Sequence, residues 1–129
     1  MKYAVDASVL IDLLRAYQPA VDLFTRLTEE EAQLVSSYVI RAEVLSGMRR
    51  GEERGTRALL EMIEWMPVAE PESEGAGVLG RRYLSANQGI DTPDLLLAEV
   101  AERHGAELLT TNVRHFREIF PGLRAPYVS

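Results

Sequence analysis

The sequence predicts an α/β domain: a three-layer α/β/α sandwich around a short, mostly parallel sheet of four or five strands. Three observations lead there. Short β-rich apolar runs alternate with longer amphipathic segments, the order expected when strands are joined by crossover helices. Helix start and stop signals recur between those runs. Nothing divides the chain: residues 1–129 hold no internal repeat, no low-complexity tract and no linker-like stretch, so a single domain is expected.

The elements follow in order. Tyr3-Ala4-Val5 is too brief and too β-rich for a helix and reads as the first strand. Val9 to Arg15 reads as helical, and Val21 to Leu27 as a second helical segment after Pro19. Thr28-Glu29-Glu30-Glu31 has the pattern of a capping box and is expected to start another turn. Gln33-Leu34-Val35 is the second strand, and Ser36 and Ser37 are N-cap candidates for a helix through Val39, Ile40, Val44, Leu45 and Met48. The polar, glycine-punctuated stretch from Arg49 to Gly55 reads as a loop between antiparallel helices. Leu59, Leu60, Ile63 and Met66 share one face of the next helix, and Met66-Pro67-Val68 is a short third strand. A glycine-containing helix is expected from Glu74 to Ala86, ending at Asn87-Gln88-Gly89. Thr92-Pro93-Asp94 combines a hydroxyl for the N-cap, a proline for the first turn and an acid for the positive helix end. That helix continues to His104-Gly105, glycine being the usual terminator. Glu107 to Thr110 is the fourth strand, followed by a short helix around Phe116 to Phe120.

Composition narrows the function. With 0 cysteines, neither a disulfide framework nor a thiolate metal site is available, which suits a cytoplasmic setting. Asp6 and Asp12 interrupt the apolar start, so neither a signal peptide nor a membrane segment is expected. The formal net charge of −6 counts against tightly held nucleic acid, whose binding domains are usually basic. It leaves room for a nuclease whose carboxylates are neutralised by bound cations.

The carboxylates carry the argument. Ligands of open α/β sheets collect at the carboxyl ends of the strands. Asp6 stands there, directly after Tyr3-Ala4-Val5. Asp94 opens a helix expected to descend from the same rim, and Asn112 follows the fourth strand. Glu43 lies mid-helix between apolar Ala42, Val44 and Leu45, where a carboxylate is costly unless paired or metal-bound. Each has a plain alternative: Asp6 as a helix cap, Asp94 as a helix-start charge, Glu43 as a partner of Arg41, Arg49 or Arg50. Asp12 and Asp91 read as solvent and capping residues, and Ser8 as a turn or cap residue. Several carboxylates gathered without a cation would push protons onto one another. A hard ion such as Mg²⁺ or Mn²⁺ removes that conflict, orients water and balances charge on a phosphodiester under attack.

Together these segments resemble the PIN-domain family, and within it the VapC-type toxins of prokaryotic toxin–antitoxin pairs. Asp6-Ala7-Ser8-Val9-Leu10-Ile11, Ile40-Arg41-Ala42-Glu43-Val44, Asp94-Leu95-Leu96-Leu97-Ala98 and Leu109-Thr110-Thr111-Asn112-Val113-Arg114-His115-Phe116 resemble its four motifs, in order. The resemblance implies a Mg²⁺-dependent endoribonuclease acting on structured RNA such as transfer or ribosomal RNA, leaving a 5′-phosphate and a 3′-hydroxyl. It implies a homodimer and silencing by a cognate VapB-like antitoxin. By position, Asp6, Glu43 and Asp94 become metal ligands or water activators. Asn112 takes a place often held by aspartate, where its neutral oxygen can still serve a hard cation or fix a water. His115 replaces another frequent aspartate and reads first as a surface histidine beside Phe116 and second as a group able to protonate the leaving oxygen. The departure at the fourth acid motivates a rival: a degenerate PIN-like module that binds RNA or a protein without cutting.

Other readings fall away on residues. Gly75-Ala76-Gly77-Val78-Leu79-Gly80 matches a dinucleotide glycine pattern, but Glu70, Glu72 and Glu74 precede it where a pyrophosphate needs positive potential. No nucleotide cofactor is expected, and the run is read as letting helices approach closely. An aspartyl phosphatase wants a second aspartate where Ser8 stands, and a phosphoacceptor domain wants a late lysine, whereas Lys2 is the sole lysine. Arg15, Arg49, Arg50, Arg54, Arg81 and Arg82 are available for phosphate contact. Leu59, Leu60, Met62, Ile63, Trp65 and Met66 form an apolar face read first as core and second as a site for partner helices.

Overall fold

The computed structural model describes residues 1–83 and 89–128. Four strands form one sheet: β1 (Lys2–Val5), β2 (Gln33–Ser37), β3 (Glu64–Met66) and β4 (Glu107–Leu109). Their order is β3-β2-β1-β4 and every pairing is parallel. Tyr3 lies opposite Leu34 on one side and Glu107 on the other. Parallel neighbours need crossovers, which the helices provide. α1 (Ala7–Leu14) and α2 (Gln18–Glu29) join β1 to β2, and α3 (Tyr38–Ser46) and α4 (Glu53–Leu60) join β2 to β3. α5 (Glu70–Tyr83) and α6 (Thr92–His104) precede β4, and α7 (Val113–Phe116) follows it.

α6 is the central helix. It packs on β1 and β2 and against α5, and every residue from Asp94 to Ala101 is buried. A helix covered on all sides must be apolar around its circumference, which Leu95-Leu96-Leu97-Ala98 and Val100-Ala101 supply. The core continues through Val5, Leu10, Leu27, Val35, Ile40 and Phe116. The close α5–α6 approach depends on glycine. A Cβ on Gly75 would stand 2.7 Å from Glu99 Cγ, and one on Gly80 would stand 3.2 Å from Leu95 Cδ1. The glycine run therefore lies inside a helix and seats its neighbour, as expected from its acidic flank.

Several boundaries move for local reasons. Thr28 starts no new turn: it sits in the last turn of α2, donating its hydroxyl to Phe24 O at 2.8 Å. Ser37, not Ser36, caps α3 by accepting Val39 N–H, while Ser36 stays in β2 and donates to Val5 O. The loop after α3 is shorter than expected, with Arg54 and Gly55 already in α4, which ends at Leu60. The third strand ends at Met66, opposite Ser37, because Pro67 has no N–H to give the ladder. α5 starts at Glu70, where Glu72 accepts Ala69 N–H, and its expected end near Asn87 lies outside the described residues. Asp91 rather than Thr92 caps α6, and Gly105 closes that helix in the left-handed region at φ 59°. The last short helix spans Val113–Phe116, earlier than expected. Leu59, Leu60 and Ile63 belong to the core, whereas Met62 is exposed.

Candidate functional site

β2 and β3 extend the sheet to one side of β1 while β4 lies on the other, so the chain reverses its winding between β1 and β4. The carboxyl ends of strands at such a switch leave a crevice, because the following segments diverge to opposite sides. Asp6 and Thr110 are the residues just past those two ends. Asp6 N–H donates to Leu109 O at 2.9 Å, continuing the β1–β4 pairing one step and pinning the two strand ends together.

The Asp6 side chain is 4% exposed, and both its oxygens are engaged. Its Oδ1 accepts Ala7 N–H at 2.8 Å, so it caps α1. Its Oδ2 accepts the Thr110 hydroxyl at 2.6 Å and the Ser8 hydroxyl at 3.2 Å. Ser8 Oγ accepts Thr111 N–H at 3.1 Å, and Thr110 Oγ1 accepts Asn112 N–H at 3.0 Å. The segment after β4 is thus laced to the start of α1 through two hydroxyls. Burial still pushes the Asp6 pKa up, against the hydrogen bonds from Thr110, Ala7 and Ser8 and the positive pull of His115.

Asp94 sits in the first turn of α6, 7% exposed, in a capping box with Asp91. Its N–H donates to Asp91 Oδ1 at 3.1 Å, and its Oδ2 accepts Asp91 N–H at 3.2 Å. That same Oδ2 stands 3.0 Å from His115 Nδ1, while Oδ1 accepts no hydrogen bond from the described residues. Burial, the Asp91 charge and the Asp6 charge raise the Asp94 pKa to about 7, despite the Asp91 N–H and His115. Glu43 is exposed on α3, yet its carboxyl is also raised, by desolvation and then by the charges of Asp6 and Asp91. These acids therefore feel one another across the crevice. Among the described residues, no three His, Cys, Asp or Glu side chains close on a single point as a ready-made metal cage.

Of the residues singled out in the sequence, Asp6 and Asp94 are buried together at the switch point, and Glu43 stands on the exposed wall. Asn112 is on the rim: its backbone N–H joins the Thr110 network, while its exposed side chain makes no hydrogen bond to Asp6, Glu43 or Asp94. Asp91 is a cap, as read. Asp12 lies elsewhere, accepting the Tyr127 hydroxyl at 2.8 Å. Three residues depart from the sequence reading, the first being Glu43, which is exposed on α3 beside an exposed Ala42 rather than costly among core residues. His115 is no free surface histidine: the four-residue α7 turns its ring onto Asp94 while Phe116 beside it is buried. Arg15 is tied to Gly47 O and Glu52 and so is withdrawn from phosphate contact. Thr110 is the residue the sequence reading missed, although the strand-end rule that singled out Asp6 applies to it equally.

A model of the PIN domain matches residues 3–119. The chain belongs to the PIN-domain family. Among curated relatives, Ribonuclease VapC19 of Mycobacterium tuberculosis is 37% identical over 95% of this chain and 98% of its own. Ribonuclease VapC10 of the same organism is 34% identical over 95% of this chain and 91% of its own. A chain of a toxin–antitoxin complex from Klebsiella pneumoniae is 25% identical and superposes with a TM-score of 0.80 over 100% of both chains. The four motifs singled out in the sequence all fall within the matched PIN segment.

Proposed function

We propose that this protein is a metal-dependent endoribonuclease of the VapC type, acting on structured RNA and restrained by a VapB-like antitoxin. One observation carries the reading. Asp6 and Asp94 are buried at the switch point with both carboxyls raised, and among the described residues His115 is the one basic side chain that hydrogen-bonds to either. Such a pair is unfavourable as two anions, and a divalent cation relieves it. The donors suit Mg²⁺, or Mn²⁺, which takes oxygen from one or two carboxylates and keeps several waters, so a closed protein cage is not required. Asp6 and Asp94 would hold the ion, with Glu43 reaching it from α3 directly or through water.

When bound, the ion supplies Lewis acidity: it lowers the pKa of water and balances charge gained by the phosphodiester. The chain does the rest. The Thr110 and Ser8 hydroxyls hold Asp6 in one orientation. Asp94 Oδ1, free of hydrogen bonds from the described residues, is the oxygen open to the ion, while the exposed Glu43 carboxylate is the group able to take a proton from an attacking water. The water oxygen bonds to phosphorus as the bond from phosphorus to the 3′ oxygen breaks, and the departing oxygen takes a proton from solvent, leaving a 5′-phosphate and a 3′-hydroxyl. The exposed arginines Arg49, Arg50, Arg54, Arg81 and Arg82 are available to RNA phosphates. A homodimer and a cytoplasmic setting belong to the same proposal; among the described residues no helix is long and apolar enough to cross a membrane.

The relatives named as ribonucleases and the toxin–antitoxin neighbour support this reading. The amide at Asn112 and the imidazole at His115 favour one alternative, a module that binds RNA or protein without cutting. Incubating structured RNA with the protein in Mg²⁺, Mn²⁺ or chelator, beside Asp94→Asn, separates the two. Cleavage that needs the ion and disappears in the variant supports the enzyme; cleavage persisting in chelator refutes the metal mechanism. RNA binding without any cleavage favours the module.

A further inference from the structure

The position of His115 has a consequence for the acidic centre. Asp94 has two chemically equivalent oxygens, and which one it offers outward depends on what holds the other. Asp91 N–H and His115 Nδ1 both meet Oδ2, at 3.2 and 3.0 Å. The backbone N–H fixes the first turn of α6 whatever the side chain at 115, so the imidazole is the second, removable clamp. Its placement is over-determined. The neighbouring Phe116 is fully buried and anchors α7. His115 N–H donates to Asn112 O at 3.0 Å. On the far side lies Gly89, at φ +97°, where a Cβ would stand 3.1 Å from both Cδ2 and Nε2 of the ring. Glycine suits this position for its backbone angle, and a side chain there would crowd the ring.

We propose that His115 is a positioning residue of the acidic centre: its Nδ1–H, with the ring seated against Gly89, clamps Asp94 Oδ2 and leaves Oδ1 as the oxygen offered to a divalent cation. This inference rests on the metal-dependent reading above. An acid at this position would add charge to the crevice and could clamp nothing, since a carboxylate only accepts. An imidazole does the opposite: it donates to a ligand carboxylate and favours its charged form.

The test is Mn²⁺ binding to the metal-free protein, measured by calorimetry, with thermal unfolding as a check on the fold. His115→Ala removes the clamp, and His115→Phe keeps a ring against Gly89 while removing only the donor. Both are expected to weaken Mn²⁺ binding by roughly 10- to 100-fold, the usual effect of losing a partner that orients a metal ligand. His115→Asn, whose amide N–H can occupy the place of Nδ1, is expected to keep the affinity within about threefold of wild type. A purely structural histidine would show lower unfolding temperatures with unchanged Mn²⁺ affinity, which overturns the inference. So would His115→Asn binding as weakly as His115→Phe. Wild type that binds no Mn²⁺ would overturn the metal reading itself, an outcome distinct from wild type and His115→Phe binding equally well.

Discussion

Two buried carboxylates on α6, Asp94 and Glu99, have opposite fates. Glu99, 5% exposed, is paired by Arg103 one turn on, whose guanidinium also reaches Pro71 O. The protein supplies its counter-charge from the same helix, and Gly75 removes the Cβ that would collide with its methylene. Asp94, 7% exposed, faces Asp91 and Asp6, and among the described residues an imidazole is its one basic hydrogen-bond partner. Glu99 therefore has its counter-charge inside the fold, although its Oε2 is buried without a hydrogen-bond partner among the described residues. A carboxylate left among like charges in a crevice is, on the function proposed above, one whose counter-charge arrives from outside. The contrast between these two positions is what separates scaffold from chemistry in this molecule.

The largest effect expected from that contrast is on cleavage. Asp6→Asn or Asp94→Asn should lower single-turnover cleavage of structured RNA by about 10²- to 10⁴-fold, whereas Glu99→Gln should leave it within about threefold. Equal losses in all three would erase the distinction. Next comes Thr110→Val, which strips the buried Asp6 Oδ2 of its 2.6 Å hydrogen bond. Activity should fall by about 10- to 100-fold, and denaturant titration should show a loss of about 1–3 kcal/mol.

Gly75→Ala probes the scaffold side. The new methyl meets Glu99 Cγ at 2.7 Å, a strain of about 1–3 kcal/mol against roughly 1 kcal/mol gained in helix propensity. A net destabilisation of about 1 kcal/mol with unchanged Mn²⁺ binding is expected. The smallest effect is on stability without metal. The folded Asp94 pKa of about 7 lies above its ordinary value of 3.8, so between those values the folded state holds more protons than the unfolded one. Stability therefore falls as pH rises through that window. Asp94→Asn should accordingly gain stability relative to wild type as pH rises from about 4 to about 8. Thermal unfolding at the two pH values checks the sign.

Much of this was legible from local chemistry. β1 was visible because Tyr3-Ala4-Val5 has no helical use, and the C-terminus of α6 because Gly105 adopts the left-handed conformation that glycine tolerates. Asp6 followed from its place at a strand end. Boundaries were less legible where two adjacent residues could fill the same role. Asp91 displaces Thr92 as a cap because its carboxylate completes a reciprocal pair with Asp94, two N–H groups satisfied instead of one. Thr28 had the letters of a cap, yet α2 runs through it because Phe24 and Leu27 are held in the core.

His115 shows where sequence reasoning stops. Nothing in its local sequence says that its ring will meet Asp94, 21 positions earlier. The same holds for Thr110 and Asp6, 104 positions apart. Strand periods, caps and glycine stops are short-range properties of the chain, and they were enough to predict the α/β architecture, the end of β1 and the residue types able to hold a hard cation. Which of those groups became neighbours was decided by the placing of β4 beside β1, because only that closure brings the carboxyl ends of the two strands to one crevice. The raised carboxyl pKa values have the same origin: burial and like-charge repulsion are properties of an assembled site.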